Sequence, residues 1–204
     1  MNESTAKPKR LLDIAGLNPA PARLSESVLV IVDAQRDYYD GNLKLFGIEE
    51  SLQAAAEVLA KARKAGTPVF HVVQMAPKES PIFAEGTPMA EIVPQLTPID
   101  GETIVEKKLP SSFAGTILDE EIKKTGRNIL IVIGYMTHMC VSTTVRAAIE
   151  YGYFSTIVSD ATTTRDLPLP GGGVISAAEL KEAELAALGD RFAVIVKNAA
   201  ELPE

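Results

Sequence analysis

From Ser27 to Val32 the chain reads SVLVIV, an apolar, β-branched run with no polar alternation. A strand of that kind has both faces covered, as in a parallel sheet flanked by helices. Similar runs recur at 68–73, 104–106, 129–134, 156–159 and 192–196. Between most of them the apolar positions switch to a helical spacing. Leu52, Ala55, Ala56, Leu59 and Ala62 share one stripe, and Gly66 supplies its stop. Ile117, Leu118 and Ile122 repeat the pattern before Gly126, as do Val141, Val145, Ala148 and Ile149 before Gly152. Ser176 and Glu179 form a capping box for a last helix, which Gly189 is expected to end. Strands alternating with helices of this length predict an α/β fold. The expected architecture is a three-layer α/β/α, Rossmann-like domain around an open, mainly parallel six-stranded sheet.

The periodic segments occupy residues 27–204 as one domain, with no internal repeat and no linker. Residues 1–26 mix charge, proline and alanine and read as an N-terminal extension. Gly171–Gly173, after Leu167-Pro168-Leu169-Pro170, reads as a mobile loop. Hydrophobic residues make up 46% of the 204 and charged residues 23%, enough apolar side chain for a sizeable core. No apolar run is long enough to span a bilayer, and the N-terminus lacks a secretory pattern, so the expected location is cytoplasmic. A net charge of −7 with scattered acids disfavours nucleic acid and anionic membranes as partners. A single cysteine rules out an intramolecular disulfide and a thiolate-cluster metal site.

Ligands of open α/β sheets bind beyond the carboxyl ends of the strands. The reactive residues expected there are Asp33, Lys107 or Lys108, Cys140 and Asp160. Cys140 falls at the start of a helix predicted from about Val141. Unpaired N–H groups at that point favour an anion, so the thiol is expected to ionise more easily than a free cysteine. The same N–H groups are suited to a developing oxyanion. A buried structural cysteine is the competing reading. Asp33 similarly reads either as a base paired with a lysine or as a carboxylate serving local structure.

Three segments resemble one known family. VDAQRDYYD is similar to the D-x-Q-x-D/N motif of isochorismatase-like hydrolases. KKLPSSFAGTILDE resembles their K-x-x-x-S/D/N-A-F-x-G-T-x-L motif, and GYMTHMCVSTTVRAA resembles G-x-x-T-x-x-C-V-x-x-T-x-x-x-A. The resemblance implies a catalytic set of Asp33, Lys107 and Cys140. Lys107 is preferred to Lys108 because it stands six residues before Phe113. It also implies a non-proline cis peptide between Tyr135 and Met136, with the N–H groups of Met136 and Cys140 forming an oxyanion hole. Gln35, Ser111, Phe113 and Tyr135 are candidate substrate contacts. The first three serve equally well as structural hydrogen bonds and core.

The implied chemistry is hydrolysis of a small amide, ureido or carbamoyl substrate through a Cys140 thioester, with Asp33 as general acid and base and Lys107 as its electrostatic partner. No cofactor and no metal are implied, because the chain has two histidines and lacks the D-x-H pattern of metal-binding nicotinamidases. His138 is a weaker candidate base for Cys140, and His71 reads as a buried structural histidine. The alternatives are a vinyl ether hydrolase of the isochorismatase type and a non-enzymatic small-molecule binder of the same fold. The family commonly forms dimers or tetramers, so a homo-oligomer is expected. The segment 74–98, with five prolines, and the loop 160–173 are expected to line the pocket. Arg165 reads more readily as a surface residue beside Asp166 than as a carboxylate contact.

Overall fold

A computed structural model describes residues 7–204; positions 1–6 of the predicted extension lie outside the described residues. The strands are β1 (Ser27–Val32), β2 (Val69–Gln74), β3 (Thr103–Lys107), β4 (Ile129–Tyr135), β5 (Phe154–Thr163), β6 (Leu167–Pro168), β7 (Val174–Ile175) and β8 (Ala193–Val196). The helices are α1 (Leu11–Ile14), α2 (Ile48–Lys64), α3 (Leu118–Lys124), α4 (Ser142–Glu150) and α5 (Ala177–Arg191). Six strands form one sheet in the order β3-β2-β1-β4-β5-β8, and every neighbouring pair is parallel. Gly171–Gly173, read as a loop, form the turn between the two short antiparallel strands β6 and β7.

Alternate residues of the central strands feed two cores. Leu29 and Ile31 of β1, with Ile131 and Ile133 of β4, face Ile48, Leu52, Ala55 and Leu59 of α2. Val28, Val30 and Val32, with Leu130 and Val132, face α3, α4 and α5 through Leu118, Val145, Leu185 and Leu188. Burying each Leu or Ile contributes roughly 1.5–3 kcal/mol, which explains why these strands are apolar on both faces. The described part of the N-terminal segment packs on the domain. Leu12 is buried, and the Leu11 N–H donates to the Asp190 carboxylate at 2.6 Å.

Two helix boundaries differ from expectation. Gly189 lies inside α5, which runs on to Arg191. A Cβ at Gly189 would sit 3.3 Å from Ile195 Cγ1, so the glycine lets the helix approach β8 closely. At the other end of the prediction, Val141 closes a π-helical turn, Thr137–Val141, and α4 begins only at Ser142. Strand order reverses between β1 and β4, and there the backbones meet at Gly134. A Cβ on Gly134 would lie 2.1 Å from the Val32 carbonyl oxygen, and its φ of +111° is open to glycine alone. The β4–β5 register shifts between Val132 and Gly134.

Candidate active site

The chain leaves β1 through Asp33 in the left-handed region, at φ +49°, a conformation that aspartate tolerates better than most residues. Its N–H donates to the Val72 carbonyl at 2.9 Å, and the Gln35 N–H returns to its carbonyl at 2.8 Å. The carboxylate is thereby fixed below the switch point, with no exposed surface. Lys107, the last residue of β3, reaches it across the end of β2. The ammonium is fully buried, 2.8 Å from Asp33 Oδ2, 2.7 Å from Gln74 Oε1 and 3.4 Å from Cys140 Sγ. An ammonium has three donors, and these three groups surround it. Lys108 is exposed.

Cys140 sits on the π-turn after β4, 6% exposed. Burial, and then the Asp33 carboxylate, push its thiol up to about 12, against the opposing pull of Lys107. The expected lowered pKa is therefore corrected. Desolvation and a neighbouring anion outweigh both the ammonium and any benefit of the turn's N–H groups. Burial likewise raises the Asp33 carboxyl above the usual carboxylate range, with Lys107 opposing. Among the described residues no donor makes a well-aligned hydrogen bond to either Asp33 oxygen. The arrangement is a protonated thiol beside a strengthened base whose charge is balanced by one lysine.

The remaining predicted residues divide. Gln35 spends its amide on backbone. Its Nε2 donates to the Gln74 and Ala90 carbonyls at 2.9 and 2.7 Å, and its Oε1 accepts from the Gln74 N–H at 2.8 Å. It ties the loop after β1 to β2, so that Gln74 is held for Lys107. Ser111 accepts the Phe113 N–H at 3.2 Å, and Phe113 stacks on Tyr151 and Tyr153 at 4.7 and 5.7 Å. Tyr135 packs edge-on against Tyr38, and its buried hydroxyl has no hydrogen-bond partner among the described residues. The Tyr135–Met136 peptide is cis. The Met136 carbonyl accepts the Met139 and Val141 N–H groups at 3.0 and 3.2 Å, shaping the turn that carries Cys140. Gln74 was not foreseen; its position between two strand ends emerges only from the β2–β3 register, which pairs it with Lys107.

Neither histidine meets the thiol. His71 Nε2 contacts Glu102 at 2.8 Å, and Arg63 holds the same carboxylate at 2.7 Å. His138 Nδ1 contacts Thr164 Oγ1 at 2.5 Å, joining the π-turn to the exit of β5. Burial, followed by the Arg165 charge, lowers the His138 pKa. Among the described residues no group of three or more His, Cys, Asp or Glu is placed to hold a metal. A cavity of about 710 Å³ lies between α2 and α5 against Ser51, Glu57, Asp160 and Lys181, away from the Asp33–Lys107–Cys140 group. A smaller cleft of about 320 Å³ adjoins Gln74, Glu106 and Lys108, and is nearer the chemistry. From the two segments expected to line the pocket, these cavities take Gln74–Pro77 and Glu85, together with Asp160, Thr162 and Thr163.

Comparison with known proteins bears on the fold and the family. The chain is similar to a secreted isochorismatase effector of Verticillium dahliae, 40% identical over 183 residues, covering 90% of this chain and 94% of that protein. A streptothricin hydrolase of Streptomyces noursei is 31% identical over 86% of this chain and 69% of its own. The crystal structure of an isochorismatase from Pseudomonas putida superposes with a TM-score of 0.91 at 40% identity, covering 96% of this chain and all of that one. The isochorismatase domain model matches residues 27–200. With the strand order, the switch-point site and this match in place, the chain belongs to the isochorismatase family.

Proposed function

We propose that the protein is a metal-independent cysteine hydrolase that cleaves a small amide, ureido or carbamoyl substrate through a thioester on Cys140. The observation that carries the reading is the buried ammonium of Lys107, 2.8 Å from Asp33 and 3.4 Å from the Cys140 sulfur. Asp33 takes the thiol proton as sulfur attacks the carbonyl carbon. A base raised toward neutral pH is better matched to that transfer than an ordinary carboxylate. Lys107 then faces the developing thiolate, while the N–H groups of Met136 and Cys140 serve as the oxyanion hole. As the C–N bond breaks, Asp33 returns the proton to the departing nitrogen. Water, deprotonated by the same carboxylate, opens the thioester, releasing the acid and restoring the thiol.

No histidine cluster stands beside the thiol, which supports a reaction carried by these three side chains alone. The naming of a similar protein as a streptothricin hydrolase supports hydrolysis as the reaction class. Ser111, Tyr135 and Phe113 remain proposed walls of the substrate site. Among the described residues no helix is long and apolar enough to cross a membrane. The reading includes a cytoplasmic location, tested by cell fractionation because a similar protein is described as secreted. It also includes a homo-oligomer, tested by light scattering; Ile99, Ile104 and Leu109 stand exposed about the edge strand β3 and support it.

The deciding experiment is ammonia release from a panel of small amides, ureas and carbamoyl acids, with wild type beside Cys140→Ala and after exhaustive EDTA. Turnover that survives EDTA and disappears in the variant is expected. Turnover that persists in Cys140→Ala refutes the thioester and directs attention to vinyl ether chemistry.

A further inference from the structure

Asp160, one of the reactive residues expected beyond the strand ends, plays no part in the thiol chemistry. It stands half-buried on the wall of the cavity of about 710 Å³ between α2 and α5. Glu50 and Glu57 of α2 and Glu182 of α5 line the same space, and the one ammonium facing these four carboxylates is Lys181. Among the described residues none of the five forms an ion pair, whereas their neighbours Glu49 and Glu184 on the same two helices each hold a cation. Asp160 and Glu182 both act on the Lys181 charge. Glu50 and Glu57 are therefore left without a counter-charge. They are two turns apart on one face of α2, about 10 Å along its axis.

The floor of the cavity is polar as well. Ser51 lines it and is 4% exposed, and its Oγ is closed off from solvent with no hydrogen-bond partner among the described residues. The Tyr135 hydroxyl stands beside it, and neither is aligned well enough to satisfy the other. A buried hydroxyl left in this way is costly unless something enters to bond it. The rest of the lining is apolar. Phe46, 65% exposed, stands at the rim, and Ala54 and Ala178 lie between the charges.

This arrangement selects among cations. The carboxylates are spread along the cavity, and among the described residues no three acidic groups converge closely enough to hold a metal ion. Separated negative charges with apolar surface between them instead match a chain of methylenes that carries ammonium groups at intervals. The Phe46 ring adds an aromatic face for a cation at the rim. We infer that this cavity binds a linear aliphatic polyamine, its ammonium groups against Glu50, Glu57 and Ser51 and its methylenes over Phe46 and Ala54. The site is separate from the Asp33–Lys107–Cys140 group and does not depend on the thioester reading.

Titration calorimetry of the full chain with spermidine at fixed ionic strength tests this. Saturable binding of one spermidine per chain is expected, weakened by added salt. Glu50→Gln/Glu57→Gln is expected to raise Kd about tenfold, as for the loss of two partly screened charges. Both side chains are exposed, so the helix keeps its buried face. Glu79→Gln/Glu120→Gln removes the same charge from exposed positions outside the cavity and is expected to leave Kd unchanged, which separates a site from general attraction to an acidic protein. Magnesium at the same ionic strength and neutral 1,8-octanediol are expected not to displace spermidine. Absence of saturable binding, an equal loss in the two double variants, or displacement by magnesium or the diol overturns the inference. A wild type that takes up no spermidine, but whose mass by light scattering falls in Glu50→Gln/Glu57→Gln, gives the cavity to a second copy of the chain and overturns it too.

Discussion

Replacing Lys107 by methionine keeps most of the side-chain volume and deletes the ammonium. Asp33, with no exposed surface, then loses its counter-charge. Breaking a buried ion pair by removing one partner costs about 3–5 kcal/mol, because the survivor is left uncompensated. For a domain of this size that lowers Tm by roughly 10–15 °C. The carboxyl can limit the damage by binding a proton. Burial already raises its pKa, and without Lys107 nothing comparable opposes that shift. A raised carboxyl pKa means that the folded state holds more protons than the unfolded state above about pH 4, so stability falls as pH rises. The Lys107→Met deficit is therefore larger near pH 8 than near pH 5, by up to about 1.4 kcal/mol per unit. Adding Asp33→Asn removes the orphan charge, and the double variant is expected to recover more than half the loss near pH 8. Thermal unfolding of wild type, both single variants and the double variant across this range measures each term. A deficit independent of pH, or a double variant no more stable than Lys107→Met, refutes the account.

Two further outcomes follow from the site and its support. The Cys140 thiol, pushed up to about 12, does not ionise near neutrality, whereas Asp33 must be ionised to accept its proton. Substrate turnover should thus rise along an acid limb above the usual carboxylate range and then run flat, with no step near the ~8.5 of a free thiol. A tenfold rise through that region in kcat/KM would contradict a protonated resting thiol. Gly134→Ala places a methyl group against the Val32 carbonyl in a backbone region closed to alanine. It should destabilise the protein by about 3 kcal/mol or more, read by denaturant unfolding, and an effect below about 1 kcal/mol would mean that the β1–β4 contact yields easily.

The parallel sheet is readable in the chain because burial on both faces leaves SVLVIV no polar alternation, and five later runs repeat that signal. Strand ends put Asp33, Cys140 and one of two lysines near one edge of the sheet, and the family resemblance singles out Lys107; that the three meet is not legible in the spacing. What escapes a linear reading depends on the environment assembled around each group. The thiol was expected to be acidic from its place near a helix start, but the carboxylate and burial that reverse the shift come from other strands. Gln74 holds the lysine through the β2–β3 register, and Gln35, which the sequence left open between a substrate contact and a structural hydrogen bond, bonds backbone on both sides. Gly189 carries the usual mark of a helix end, yet close packing on β8 keeps it inside α5.

The position of Lys107 on β3 also ties chemical competence to an edge of the sheet. β3 is an outer strand, bonded among the described residues to β2 alone, with Ile104 51% exposed. Edges of this kind open locally with free energies well below that of global unfolding. Fraying there would withdraw the ammonium while β1, β4 and β5 stay paired, so the molecule would become inert before it became unfolded. Hydrogen exchange at Val105 and Lys107 would then track the temperature at which turnover fades, ahead of the main melting transition.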